Sequence, residues 1–573
     1  MKQYIISFIC FSCLLLSGCN YLDTEPGDAI SGDYFWETAN AAALEQYCNL
    51  YYPKLIKGHG DPLSWNVGAM IMADYQSDNI LVSGGSSITY GQNTKLTSNS
   101  DWNWSTVRGC NSFLQNYQRS PASEMDKKKY AGEILFFKAF DYYNKVRLFG
   151  DVPWYDTALD KDDPDLYKGR DSRIVVMASI LKTINQAIEF LPRKTKVYRV
   201  SRDAALLLKA RICLYEGTWR RYRDMEGDVE YLKEAYNAAG ELMDYGYSLY
   251  KASATGENYF DLFIQDNYNT NTEVILSKEY DPKVDKGNNV TRQLRLGEMA
   301  QMMGMSKDCA DDYLTITGQP YDQTGVTSVK DELENRDPRL LQTIATPYAG
   351  PYTYYLEGKR SSISSFLEGG THSSTGYAIA KFYNEKEFSD THGVGTLDAI
   401  IFRYAEVLLI RAEAGAELGK DPELDLTVNA LRKRVGFNVK LTSSPATDPK
   451  LVAKHPIIKG TNADLIREIR RERRVELFGE GLRYADLMRW GCGERLVAPK
   501  AGMMLYTDVY TPEEIAVLKT EVGTYADGSL DVYGKRVTTP AIFESPKHYL
   551  FSLPLNEMAL NPKLKPNNPG WGD

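Results

Sequence analysis

The chain has 573 residues, 43% of them hydrophobic and 25% charged, which describes a folded body and excludes a disordered one. Its 67 Lys and Arg against 76 Asp and Glu leave a formal net charge of −9, which does not favour nucleic acid, since phosphate binding needs a basic face. Aromatic residues make up 12%, with 40 Tyr; such a content suits polar, uncharged ligands such as sugars, and equally suits tyrosines that only cement helix faces.

The N-terminus reads as an export signal. Lys2 precedes an apolar run from Tyr4 to Leu16, followed by the small residues Ser17 and Gly18. The run is too short for a membrane span. Leu16-Ser17-Gly18-Cys19 resembles the bacterial lipobox. That resemblance implies a signal peptide over 1–18, cleavage before Cys19 and acyl chains on Cys19, several chains giving a firm anchor where one gives a marginal one. Residues 19–35 then form a lipidated linker. Its start, Asn20-Tyr21-Leu22-Asp23-Thr24-Glu25-Pro26, is similar to the short acidic leaders that carry Bacteroidota lipoproteins to the cell surface. Cys48, Cys110, Cys213, Cys309 and Cys492 remain beyond it. They are scattered and odd in number, which argues against a disulfide framework and for buried small hydrophobes.

Residues 36–57 predict a helix on an Ala-rich stripe. Residues 58–100 lose the period among Gly, Ser, Thr and Asn and predict loops, with one short helix near 66–73. Helical character returns at 102–118. The next helix starts at the cap Ser123, with Asp126 in the place of a capping-box Glu, and stops at Gly150 before Pro153. Further helices are predicted over 171–190, 201–215 and 228–245. In the last, Ala235, Ala238 and Ala239 allow a close helix–helix approach. Such pairs look like tetratricopeptide units without a strict period. Residues 246–395 break the pattern, with Gly/Asn/Asp/Thr clusters and a strand-like run from Glu273 to Ser277. Helices return over 398–418, 424–435 and 462–478.

The organisation expected is therefore an N-terminal helical-repeat part (36–245), an irregular loop-rich lobe (246–395) and a C-terminal helical part with a tail (396–573). The fold class is all-α: a tetratricopeptide-like helical-hairpin superhelix with an inserted lobe. The helix over 462–478 carries Arg467, Arg470, Arg471, Arg473 and Arg474 among Glu468, Glu472, Glu476 and Glu480. Opposite charges at helix spacing predict exposed or partly buried ion pairs, not a nucleic-acid helix. Pairing of Arg403 with Glu406 and of Arg411 with Glu413 is expected on the same grounds.

An ordered set of motifs carries a resemblance. It comprises Arg147-Leu148-Phe149-Gly150-Asp151-Val152-Pro153, Asn335-Arg336-Asp337-Pro338-Arg339 and Arg403-Tyr404-Ala405-Glu406-Val407-Leu408-Leu409. The run from Glu472 to Trp490 and the tail Asn567-Asn568-Pro569-Gly570-Trp571 complete it. The chain resembles the SusD/RagB family of Bacteroidota outer-membrane lipoproteins over essentially its whole length. It departs at Asn567, where the family has Gln, and around 302–312, where a Pro-Thr pair is missing. The resemblance implies four tetratricopeptide-like units, capture of oligosaccharides or sometimes peptides without chemistry, and a SusC-like TonB-dependent transporter as partner.

The residues themselves give no catalytic signature. The five His form no His-Glu-x-x-His, and there is neither a Walker loop nor a Gly-x-Ser-x-Gly elbow. A two-carboxylate glycosidase stays as a weaker alternative, because its acids need proximity in space only. A peptide- or protein-binding lipoprotein of the same transporter type is the runner-up. For sugar binding the candidates are loop aromatics beside short polar residues: Trp65, Tyr90 and Trp102, with Asp74 and Asp78 as hydroxyl partners or as buried structural groups. Trp104 is expected to pack. A second patch, Pro347 to Arg360, offers Tyr354 and Tyr355 on a short extended run and Arg360 for a hydroxyl or carboxylate. No cofactor is implied. A structural calcium ion is conceivable in these loops, although no Asp-x-Asp-x-Asp-Gly loop is present.

Overall fold

The computed structural model describes residues 32–572 except 62–67, 83–85, 92, 254–255, 297–302, 347–354, 357–358, 361–372, 388, 390, 509, 535–536 and 538–539. The export signal, Cys19 and most of the linker lie outside the described residues.

The stretch expected as one helix over 36–57 is broken into three, Gly32–Thr38, Ala41–Asn49 (α1) and Tyr52–Leu55. Asn40 turns extended and caps α1 through the Ala43 N–H, and Pro53 opens the next turn. The main helices follow as α2 (Ser105–Asn116), α3 (Glu124–Phe149), α4 (Arg173–Phe190), α5 (Arg202–Arg221) and α6 (Asp228–Met243). Ser123, Ser172 and Ser201 cap α3, α4 and α5 with their hydroxyls. At α3 the box is half made. The Ser123 hydroxyl accepts from the Asp126 N–H and donates to the Asp126 carboxylate at 2.6 Å, one methylene short of the reach that Glu has to the cap backbone. Helix α5 runs a turn and a half past its expected end at Tyr215.

In the C-terminal half, α7 (Tyr404–Leu418), α8 (Ala463–Glu476) and α9 (Arg483–Arg489) complete the helical body. α3 packs on α4, α5 on α6, and α6 on α7, so helices from both ends of the chain join one stack. Small residues set the closeness of these contacts. A Cβ on Gly217 of α5 would stand 2.7 Å from the Leu232 side chain of α6. Residues expected as helix over 424–435 shorten to Val428–Arg434.

The strands are β1 (Ile80–Leu81), β2 (Val274–Lys278), β3 (Gly304–Met305), β4 (Tyr355–Leu356), β5 (Lys359–Arg360), β6 (Ala399–Arg403), β7 (Ala501–Met504) and β8 (Ser529–Asp531). Among the described residues they form two-stranded antiparallel pairs: β1 with β3, β2 with β6, β4 with β5, and β7 with β8. The β6 strand corrects the expected helix start at 398. Ala399-Ile400-Ile401-Phe402 holds apolar residues at helical spacing too, but a bulged ladder to β2 claims them, and Arg403 is still extended as the cap of α7.

Two large cores result. One unites the helices of both halves, from Trp36 to Leu242 and from Phe402 to Leu564. The other belongs to the irregular lobe and takes Ile71, Ile80 and Val82 from the N-terminal part beside Tyr313, Tyr377 and Phe478. Part of the expected loop region 58–100, between Ile71 and Val82, is thus built into the lobe's core. Cys48, Cys110, Cys213, Cys309 and Cys492 are free and buried. No helix among the described residues is long and apolar enough to cross a membrane.

Candidate functional site

The ion pairs of α8 are more deeply buried than its sequence implies. Glu476 accepts from Arg403, Arg434 and Arg339 at 2.7, 2.5 and 3.1 Å. Arg339 also pairs with Asp337 and Glu472, Arg432 with Glu472, Arg403 and Arg434 with Glu273, and Lys381 and Arg403 with Glu480. Five cations meet five carboxylates in one network, buried except for the partly exposed Glu480. The surrounding guanidiniums overcome burial and hold the Glu476 carboxyl far below its ordinary range. The expected local pairs are corrected. Glu406 binds Arg211, Arg411 binds Glu423, and Glu413 binds Arg489. Each finds a better-placed partner on a neighbouring helix or loop.

This charged core anchors the N-terminal loops. Asp78 accepts from Arg483 at 2.7 and 3.0 Å and pairs with Arg474 and Arg495. Asp74 accepts from the Asn79 amide at 3.0 Å and from the Gly479 N–H at 2.6 Å. Gly479 has φ +77°, which lets its N–H face Asp74. Burial raises the Asp74 carboxyl to about 6 against those two bonds. Both aspartates are therefore buried and occupied within the protein, which corrects their candidacy as ligand partners.

Tyr90 and Trp102 are corrected in the same way. Tyr90 is buried with its ring 5.1 Å from that of Tyr533, and Trp102 is buried edge-on against Trp104 and Phe149. Trp104 packs, as expected, against Trp102 and Tyr155. Trp65 and Tyr354 lie outside the described residues. Tyr355 and Arg360 are register partners in the β4–β5 pair, so of the predicted run Tyr355 is extended.

A segment the sequence did not single out, Ser373 to Phe382, seats the bases of these loops. The Ser374 hydroxyl donates to the Leu81 carbonyl at 2.9 Å, at the foot of loop 83–85. The Ala345 N–H donates to the Ala378 carbonyl at 2.8 Å, and Ile344 bridges Ile379, just before the stretch 347–372. Phe382 meets His59 edge-on at 5.3 Å, at the foot of loop 62–67. That loop is pinched shut where Gly68, φ +87°, lies on His59; a Cβ there would fall 2.1 Å from the His59 carbonyl carbon. His59, Ile344 and Ala345, at the described ends of the stretches that hold Trp65 and Tyr354 to Arg360, thus all meet this segment. The one available sequence signal was the polar run Ser373-Ser374-Thr375-Gly376 followed by alternation through Tyr377 and Ile379. No group of three or more His, Cys, Asp or Glu among the described residues is placed to hold a metal ion, so the conceived calcium site has no ligand set there.

Residues 272–571, more than half of the chain, match the model of the SusD family, and residues 38–214 match a family described as starch-binding and associating with the outer membrane. The chain belongs to the SusD family. The SusD-like protein P38 of Formosa agariphila is 24% identical over 527 residues, covering 88% of this chain and 94% of that one. The starch-binding protein SusD of Bacteroides thetaiotaomicron is 24% identical over 414 residues, covering 66% of this chain and 67% of its own. Among solved structures, a SusD-like carbohydrate-binding protein from Bacteroides fragilis superposes with a TM-score of 0.72 at 22% identity, over 93% of this chain and all of that one. The mostly helical, tetratricopeptide-like architecture expected for this SusD family member is the one observed.

Proposed function

We propose that this SusD family member is a lipid-anchored glycan-binding protein of the outer cell surface. It captures an oligosaccharide and hands it unchanged to a SusC-like TonB-dependent transporter. Cleavage removes residues 1–18, Cys19 carries the lipid, 19–35 spans from membrane to body, and the parts 36–245, 246–395 and 396–573 make up that body. The observation that supports the reading is that the described ends of the stretches with Trp65 and with Tyr354, Tyr355 and Arg360 meet one segment, Ser373 to Phe382. An aromatic face for sugar C–H surface beside a guanidinium for hydroxyls is the chemistry a neutral glycan needs. Family membership supports the same reading.

Calorimetry against starch-derived and β-glucan-derived oligosaccharides tests it, with a peptide panel alongside. Trp65→Ala or Tyr355→Ala should weaken glycan binding by about 2 kcal/mol, roughly thirtyfold, as loss of an aromatic anchor does. Silence across the glycans together with binding of a peptide would overturn the sugar assignment. Cys19→Ala should move the protein from the membrane fraction to the soluble one, and retention would refute the anchor. Gentle detergent extraction should bring an outer-membrane barrel along with the protein.

A further inference from the structure

Helix α2 and the loop after Pro153 enclose a pocket of about 240 Å³. Trp104, Val107, Arg108 and Asn111 recur at i, i+3, i+4 and i+7, so they share the helix face that lines it. Tyr155, Thr157, Leu159 and Leu166 line it from the loop. The buried Asn111 fastens that loop: its Nδ2 donates to the Tyr155 and Thr157 carbonyls at 2.9 Å. Arg108 Nε donates to the Leu159 carbonyl at 3.1 Å. The rings of Trp104 and Tyr155 stand 5.5 Å apart at 88°, so these two half-buried aromatics meet as a corner. Val107 and Leu159 are buried beneath it, and Leu166 is exposed at its edge.

The rim of the pocket is polar and open to solvent. Ser105, Arg108 and Thr157 all border it and all are exposed. The Ser105 and Thr157 hydroxyls and the two terminal nitrogens of Arg108 have no partner among the described residues. The surrounding charge is negative. Asp160, Asp162, Asp163 and Asp165 stand against Lys161 between Leu159 and Leu166, and none of the four forms an ion pair among the described residues. Burial first, then Asp165, pushes the Tyr155 phenol up to about 12, so the field of these aspartates reaches the pocket wall. The lining includes no residue of Ser373 to Phe382, and neither His59, Ile344 nor Ala345.

We propose that this pocket is a further sugar site, built for one neutral pyranose ring. The aromatic corner over an apolar floor takes the C–H face of the ring, and Ser105, Arg108 and Thr157 meet the hydroxyls at its edge. A cavity of roughly 150 Å³ holds benzene, so this one takes a single substituted six-membered ring. The aspartates of the rim disfavour a uronate or any other anion. A single ring makes few contacts, so binding here is weak, in about the millimolar range, and can be titrated apart from oligosaccharide binding at the loops.

Fluorine NMR on the full mature chain labelled with fluorotryptophan tests the assignment, with methyl glucoside, methyl galactoside, methyl glucuronide and cyclohexanol as probes. Trp104→Phe identifies the Trp104 resonance. At least one neutral glycoside should move that resonance saturably, and should do so equally in the Trp65→Ala protein. Thr157→Val and Arg108→Met should each weaken the binding by about three- to tenfold, as loss of one hydrogen bond does. Both positions are exposed, Thr157→Val keeps the side-chain shape, and melting curves check that each variant is folded. No saturable shift with either neutral glycoside would overturn the proposal. So would glucuronide or cyclohexanol binding as tightly as the glycosides, or affinities unmoved in folded Thr157→Val and Arg108→Met proteins. A shift that vanishes in Trp65→Ala would overturn it too, by placing the sugar on the loops alone. Oligosaccharides that fail to bind at the loops while Trp104 still responds to a glycoside would sink the loop reading and support this one.

Discussion

Replacing Glu476 by Gln is the sharpest perturbation of the charged core. The side chain keeps its shape but loses its charge, leaving Arg339, Arg403, Arg432, Arg434 and Lys381 to face four carboxylates in place of five. The new amide also turns an NH2 group toward guanidiniums that can only donate. Breaking a buried ion pair from one side costs about 3–5 kcal/mol. At about 2.1 cal/mol/K per residue, the unfolding entropy of a chain this long is roughly 1.2 kcal/mol/K, so melting as one unit should fall by about 3–4 °C. Differential scanning calorimetry reads this directly. Arg434→Met alone should also destabilise, because Glu273 and Glu476 lose a partner. The double variant restores four cations to four carboxylates and should be milder than the two singles added, by about 1 kcal/mol or more. A melting temperature for Glu476→Gln within about 1 °C of the parent, or singles that simply add, would refute the view that charge balance holds this core together.

Asp74 should give a pH signature. Burial raises its folded carboxyl to about 6 from an ordinary 3.8, so the folded state holds the extra proton between those values. Its contribution to stability is full below 3.8 and is lost as pH rises through 6, a swing of about 3 kcal/mol for two pKa units. Urea unfolding at pH 4.5 and pH 7.5 should show Asp74→Asn losing less stability over that interval than the parent; equal losses would contradict it. Its Oδ1, buried without a partner, is where the proton would sit. Trp102→Ala should cost about 3–5 kcal/mol of stability by opening a cavity against Trp104 and Phe149, while folded protein keeps its glycan affinity. Weakened glycan binding by folded Trp102→Ala would return that residue to the site.

The helices were legible where the chain punctuates itself. Ser123 and Gly150 bracket α3, and Ser201 opens α5, because caps act within a few residues of what they cap. Legibility failed where the deciding contact is distant. Residues 399–403 carry an apolar pattern that fits helix or strand, and only the ladder to β2, more than a hundred positions earlier, decides it. The charge alternation of α8 announced ion pairs correctly, but their partners are Arg339, Arg403 and Arg434, which no i,i+4 rule reaches. The loop aromatics were harder still. A Tyr or Trp among Gly and Asn reads alike whether it faces water or another ring, and Tyr533, which buries Tyr90, lies over 400 positions away. The seat at 373–382 stayed invisible because its partners Leu81 and His59 come from the other end of the chain.

The motifs that identify the family and the residues that would choose the cargo occupy different physical environments. Asp337, Arg339, Arg403, Glu472, Glu476 and Glu480 all belong to identifying motifs, and all sit in the one balanced network. No member can change alone without stranding a buried charge, at a cost of about 3–5 kcal/mol, a large part of the net stability of a typical domain. Only paired changes are cheap there, so the motif reports the scaffold with high fidelity. The described ends of loop 62–67, His59 and Gly68, lie on each other and belong to no pair of that network. Relatives at 22–24% identity can therefore share this scaffold while their loops take different ligands. The name of a relative's glycan is accordingly weak guidance to this chain's cargo, and the loop variants Trp65→Ala and Tyr355→Ala are the measurements that speak to it.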